Sequence, residues 1–194
     1  MKQLLLFGYI LLCNACISTT TPIQDQTSSY TSEAYEPLPN TDASSSITTD
    51  ILIGKQDRKA LEQEPFGHWF HENYKNYTID TATVSKIAPH LSTISIKAFM
   101  GTWCSDSKRE TPTFYKLLDA ADFDYDNLEL ITVSREKDTP NGLEEGLNIL
   151  RVPTFIFHKD GKEIGRYVEF ARETLEKDIL AIVSGQPYKH SYED

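Results

Sequence analysis

From about residue 51 onward, short apolar runs alternate with segments whose apolar residues recur every three or four positions. Ile51-Leu52-Ile53-Gly54 reads as a short strand or an anchoring segment. Asp57–Gln63 has a helical pattern, and Pro65 suits the first turn of a second helix. Over 65–77, Phe66, Trp69, Phe70, Tyr74 and Tyr77 fall on one helical face and are expected to pack into a core. Tyr77–Asp80 predicts a short strand. Val84, Ile87, Ala88 and Leu91 then predict a helix over 81–91, and the β-branched run over 93–100 a strand. A helix is expected from about Cys104 to Ala121, with Pro112 inside it as a kink. Leu128–Ser134 predicts the next strand and Leu143–Leu150 a short helix. Thr154–His158 and Glu163–Val168 flank Lys159-Asp160-Gly161, the pattern of a hairpin. Arg172–Ser184 closes the series as a helix, with Leu175, Ile179, Ile182 and Val183 inward and Gly185 as its C-cap. The order βα, βα, βα, ββα predicts an α/β fold. Its mixed central sheet is flanked by helices and preceded by a helical extension over 51–76.

The first fifty residues follow other rules. Met1-Lys2 is a charged start, and Leu4–Leu12 is an apolar run of signal-peptide length, ~7–15 residues. It falls far short of the ~20 residues that span a bilayer. Ala15 before Cys16 resembles the small residue ahead of the lipidated cysteine in bacterial lipoproteins, although Cys13 stands where that motif usually has Leu. The expectation is therefore a signal segment over 1–16, lipidation at Cys16, and export; cleavage without lipidation is the alternative. Residues 17–50 are rich in Ser and Thr and sustain no period of 2 or 3.6. Such a composition cannot bury enough apolar surface to offset chain entropy, so a disordered tether is expected there.

Charge and cysteine content narrow the chemistry. Nineteen Lys and Arg against 29 Asp and Glu give a net charge of −10. A nucleic-acid partner is not expected, because phosphate binding needs a basic face. Of Cys13, Cys16 and Cys104, only Cys104 lies in the patterned part, so no disulfide framework is expected there. His68 and His71 are three apart on a predicted helix but lack a nearby third ligand, so no metal site and no cofactor are expected.

One stretch carries the candidate chemistry. Ile94–Met100 ends in Gly101, and Thr102-Trp103-Cys104-Ser105-Asp106-Ser107-Lys108 follows. A thiol is thereby expected at the end of a strand and on the first turn of a helix. Helix N-termini present free N–H groups and a positive dipole end, which favour the thiolate, the nucleophilic form. Lys108 adds to that field and Asp106 opposes it. A buried structural cysteine is the competing reading.

This segment resembles the active-site Trp-Cys-x-x-Cys-Lys of the thioredoxin family. Pro112 falls where that family's long helix is kinked, Arg151-Val152-Pro153-Thr154 resembles its cis-proline loop, and Asp160-Gly161 its late hairpin turn. The resemblance covers about residues 77–187, with 188–194 as a tail, and implies a thioredoxin-like fold. It implies Cys104 as the reacting thiol, Trp103 as a cap over it, and the Val152-Pro153 backbone as the place where an extended substrate pairs. Ser105, Asp106 and Lys108 complete the motif. The exported form also resembles membrane-anchored thioredoxin-like lipoproteins of Bacteroidetes-type bacteria.

Two departures from the family bear on function. Ser107 replaces the resolving cysteine, leaving a hydroxyl that can donate to the Cys104 thiolate but cannot release a mixed disulfide. Ala98 stands near the family's buried acid. The sequence therefore points to thiol–disulfide exchange through one cysteine in the cell envelope, isomerase-like or as a reductase accessory. Its partners would be exported proteins bearing cysteines or disulfides, and the membrane through the lipid anchor. The alternative is a non-catalytic, partner-binding thioredoxin fold. A one-cysteine peroxidase is disfavoured, because Thr102 lies two residues before Cys104 rather than three. Metal delivery through Cys104 and His158 ranks last.

Overall fold

A computed structural model describes residues 51–194. The leader, Cys16 and the Ser/Thr-rich segment lie outside the described residues. The elements are β1 (Gly54–Gln56), α1 (Arg58–Glu62), α2 (Gly67–Asn76), α3 (Thr81–Leu91), β2 (Ile94–Met100), α4 (Ser105–Ala120), β3 (Leu128–Thr132), β4 (Thr154–Lys159), β5 (Lys162–Val168) and α5 (Leu175–Val183). A 3₁₀ turn, Tyr125–Asn127, leads into β3. The five strands form one sheet in the order β1-β3-β2-β4-β5. β2 and β3 are parallel and the other neighbours antiparallel, so the sheet is mixed.

Successive residues of a strand face opposite sides of the sheet, and β2 uses both. Ile94, Ile96, Ala98 and Met100 join one apolar cluster, to which all five helices contribute: Leu61, Phe70, Ile87, Phe114 and Ile179 are examples. Phe99 joins a second, smaller cluster with Ile131, Val133, Ile149, Val152 and Ile156. Of the expected aromatic stripe, Phe66, Trp69 and Phe70 are buried and Tyr74 packs beside them, whereas Tyr77 is half-buried outside that cluster and its hydroxyl donates to Glu176 at 2.9 Å. Caps set the helix starts. Asp80 accepts from Thr83 N–H at 3.1 Å to open α3, and Thr174 accepts from Lys177 N–H at 3.2 Å to open α5. The hairpin turn after β4 puts Asp160 and Gly161 at φ of 51° and 74°, the left-handed pair a two-residue turn requires.

Three local expectations are corrected. Tyr77–Asp80 is not a strand, because its residues serve two helix ends: Tyr77 N–H caps α2 on Asn73 O at 3.1 Å, and Asp80 opens α3. Leu143–Leu150 is not a helix. Gly146 and Asn148 take φ of 74° and 54°, left-handed values that interrupt helical hydrogen bonding. The apolar spacing there still seats Ile149 in the second cluster with Leu143 and Leu147 against it. A loop rather than a helix therefore covers that face of the sheet. The first strand lies at Gly54–Gln56 rather than at 51–54; it pairs with β3 and sets Gly54 opposite Thr132.

A polar cluster ties α1 and α2 to α4. The Arg58 guanidinium donates to both Asp119 oxygens at 2.9 and 2.8 Å and to Glu62 at 2.7 Å, and it lies 5.1 Å from the Tyr115 ring centre. Tyr74 and Tyr125 hydroxyls donate to the same Asp119 at 2.7 and 2.5 Å. Burial alone would raise the Asp119 carboxyl, but the bonds from Tyr125, Tyr74 and Arg58 outweigh it and hold it below its ordinary value. A carboxyl depressed by folding contributes stability at neutral pH and loses it as the pH falls below the unfolded value of about 3.9. Asp119→Ala is expected to destabilise the chain by ~1–3 kcal/mol, through the unpaired guanidinium and hydroxyls. In denaturant titrations the variant should also lose less stability on acidification than the wild type does.

Candidate functional site

The turn after β2 and the loop before β4 meet at one edge of the sheet, because Phe99 pairs with Thr154 across the two strands. Cys104 takes an extended conformation, φ −89° and ψ 128°, as the N-cap of α4. Its N–H donates to Gly101 O at 2.9 Å, which closes the turn, and its carbonyl receives Lys108 N–H at 3.0 Å. The side chain does not cap the helix. It is half-buried, and its thiol donates to Val152 O at 3.3 Å. The next peptide bond, Val152–Pro153, is cis. Pro153 O in turn accepts from Glu169 N–H at 2.8 Å, which ties the loop to the end of β5.

Trp103 precedes that thiol in the chain. Its ring packs against the second cluster, and Nε1 donates to Val133 O at 3.0 Å. Gly101 lies under that ring: a Cβ there would stand 2.6 Å from Trp103 Cε2. Arg135 and Lys137 approach the ring centre to 5.4 and 5.9 Å, within cation–π range.

Ser107 is fully buried, and its oxygen accepts from Gly101 N–H at 3.1 Å. The expected hydrogen bond to the Cys104 sulfur is not made; the hydroxyl braces the turn from below. Asp106 is paired with Arg109 at 2.7 Å, so part of its charge is spent within the helix. Ser105 is exposed at the first helical position and Lys108 is half-exposed. Ala98 is buried in β2 and supplies no acid. Among the described residues no group of three or more Cys, His, Asp or Glu side chains could hold a metal. His158 pairs with Ser95 at the far end of β4 and stands apart from Cys104. His68 and His71 are exposed and bond to the carbonyls of Pro65 and Glu62, each at 3.0 Å.

The structure thus brings Cys104 to the Val152-Pro153 loop, with Trp103 against the second apolar cluster and Ser107 buried under the turn. Gly101, Arg135 and Lys137 were not singled out in the sequence. Only Gly101 carried a local signal, as the residue that ends an apolar strand ahead of a tryptophan.

The thiol corner and the proline loop stand on a mixed five-stranded sheet with flanking helices, a thioredoxin-like fold, and the chain is similar in sequence to thioredoxin-like proteins. It is 30% identical over 82 residues to a thioredoxin-like protein of Acanthamoeba polyphaga mimivirus, covering 42% of this chain and 57% of that one. It is 28% identical over 94 residues to a thioredoxin of Arabidopsis thaliana, covering 48% and 63%. The chain therefore spans less than two thirds of these relatives' own length. No family model matches it. Among solved structures, a Pseudomonas aeruginosa protein of unknown function superposes with a TM-score of 0.52 at 15% identity, covering 68% of this chain and 93% of that one; this likeness concerns the fold alone.

Gly101→Ala is expected to force Trp103 off Val133 O and to cost ~1–3 kcal/mol, the usual penalty for overpacking. A shift in tryptophan emission together with a lowered denaturation midpoint would show it; an unchanged midpoint would mean the ring moves freely.

Proposed function

We propose that this chain carries out thiol–disulfide exchange through Cys104 alone. The observation that supports this most is the sulfur itself: half-buried rather than sealed, at the N-terminus of α4, and 3.3 Å from a backbone carbonyl beside Pro153. The Cys104 thiolate attacks one sulfur of a substrate disulfide. The substrate S–S bond breaks, a Cys104–substrate disulfide forms, and the second substrate sulfur leaves as a thiolate that takes a proton from water. An extended substrate lies along the Val152-Pro153 loop and pairs with its backbone in the manner of an added strand.

Release needs a second thiol. Ser107 cannot provide one, and its oxygen is already engaged by Gly101 N–H. A low-molecular-weight thiol or another substrate cysteine must attack the mixed disulfide, forming a new disulfide with the substrate and returning Cys104 as thiolate. No net electrons are gained or lost by the protein over this cycle. That suits reshuffling of disulfides, or an accessory role beside a separate reductase. The same engagement of Ser107 favours a second reading, in which the fold binds partners without turnover.

The signal-like leader, the Ala15-Cys16 pair and the Ser/Thr-rich segment support an exported protein held by lipid at Cys16, with substrates among exported proteins that carry cysteines or disulfides. Envelope fractions alkylated at once after acid quenching test both parts. Wild-type chain should run partly as reducible high-mass adducts, and Cys104→Ser should lose them all. Adducts persisting in Cys104→Ser would overturn the exchange role. The mature N-terminus, read by mass spectrometry, should begin at a lipid-modified Cys16; an intact Met1 would overturn export.

A further inference from the structure

The C-terminal segment folds back onto the loop that faces Cys104. The Arg151 guanidinium lies 3.7 Å from the centre of the Tyr192 ring. The Tyr192 hydroxyl donates to Glu169 Oε2, which Arg151 Nη1 also reaches at 3.3 Å. Phe170 meets Tyr192 edge-on at 5.7 Å. Ser191 hydroxyl donates to Phe170 O at 2.6 Å, and Arg172 donates to Glu193 O at 3.2 Å, so the tail is fastened on either side of Tyr192. Arg151 directly precedes Val152, whose carbonyl accepts the Cys104 thiol. The Tyr192 phenol is pushed up first by its bond to Glu169, and Asp106 in the first turn of α4 is among the charges that act on it.

This corner is unusually apolar for a surface. Of the six large hydrophobic side chains exposed among the described residues, Leu150 (70%), Phe170 (43%) and Tyr192 (41%) all stand here. Leu150, Arg151 and Tyr192 line a cavity of about 470 Å³, in the range of ligand sites. Both arginines that line it are paired, Arg151 with Glu169 and Arg166 with Glu163. What remains is a rigid aromatic ring stacked on an arginine beside exposed Leu150, the composition found where interfaces bury their anchors.

We infer that Tyr192 and Arg151, with Leu150 and Phe170, form a subsite for a bulky apolar side chain flanking the reacting cysteine of an extended substrate polypeptide. The inference rests on the exchange reading for that cysteine's identity as substrate. An extended chain advances ~3.3 Å per residue, so a residue within a few positions of the cysteine reaches the corner while the backbone runs along Val152. Tyr192 is then a specificity-determining residue, delivered to the site by a tail far from it in sequence.

The test is non-covalent binding to the full chain carrying Cys104→Ser. Two labelled peptides are titrated by fluorescence anisotropy, each with one reduced cysteine, one flanked by Phe and the other by Gly. The Phe peptide should bind about fivefold or more tightly, the effect of one interface anchor. Adding Tyr192→Ala should abolish the preference, and Tyr192→Phe, which keeps the ring, should retain it. If circular dichroism shows Tyr192→Ala to be unfolded, Leu150→Ala replaces it with the same expectation. Equal affinities for the two peptides, including no measurable binding of either, would overturn the subsite, as would a preference untouched by these substitutions. Because Cys104 is absent throughout, a failed exchange reaction leaves this result standing, and a lost preference leaves the exchange reading standing.

Discussion

Everything proposed for this chain depends on the pairing of β2 with β4. That antiparallel ladder sets Phe99 opposite Thr154. One step beyond it, the turn through Gly101 and the loop through Pro153 emerge at the same edge of the sheet. Neither segment makes a site alone: a cysteine at a helix start is a common feature, and so is a proline before a strand. The ladder holds them together, and the second apolar cluster, with Phe99, Val152 and Ile156 in contact, keeps the two strand ends from separating. The 3.3 Å approach of Cys104 Sγ to Val152 O is the consequence. The position of that thiol is thus set by burial of large side chains, the strongest and least directional force in the fold.

The turn itself is packed around small residues. Gly101 leaves room for the Trp103 ring, and Ser107 fills the space beneath with an oxygen that accepts the Gly101 N–H. A cysteine at 107 would have its sulfur in that buried place. In this chain the position supports the turn rather than the reaction. The turn that carries Cys104 is therefore well formed with a serine at 107.

Much of this was legible in the sequence. The strands β2, β4 and β5, the helices α3 and α5, and the hairpin at Asp160-Gly161 announced themselves through period, caps and turn residues. The Trp-Cys segment and the Val-Pro-Thr loop pointed to each other only through the family resemblance, since no local pattern can bring residues 104 and 153 together. Two local errors have local causes. Tyr77–Asp80 has strand-like composition, but two adjoining helices consume it as caps. Leu143–Leu150 has helical spacing, but Gly146 and Asn148 take left-handed backbone that spacing does not reveal. The Ser107 oxygen accepts from Gly101 N–H, a backbone group that the pattern of side chains does not show. Tyr192 was out of reach altogether, its contact with Arg151 arising from the path of the tail after α5.

The central claim is that one thiol forms an adduct and cannot resolve it. Purified chain mixed with a peptide disulfide, followed by intact-mass spectrometry, tests it most directly. The account predicts a single peptide-sized mass increase, mapped to Cys104, that persists after removal of free peptide and vanishes on adding a small thiol. No adduct at Cys104, or an adduct that clears without any added thiol, would contradict it.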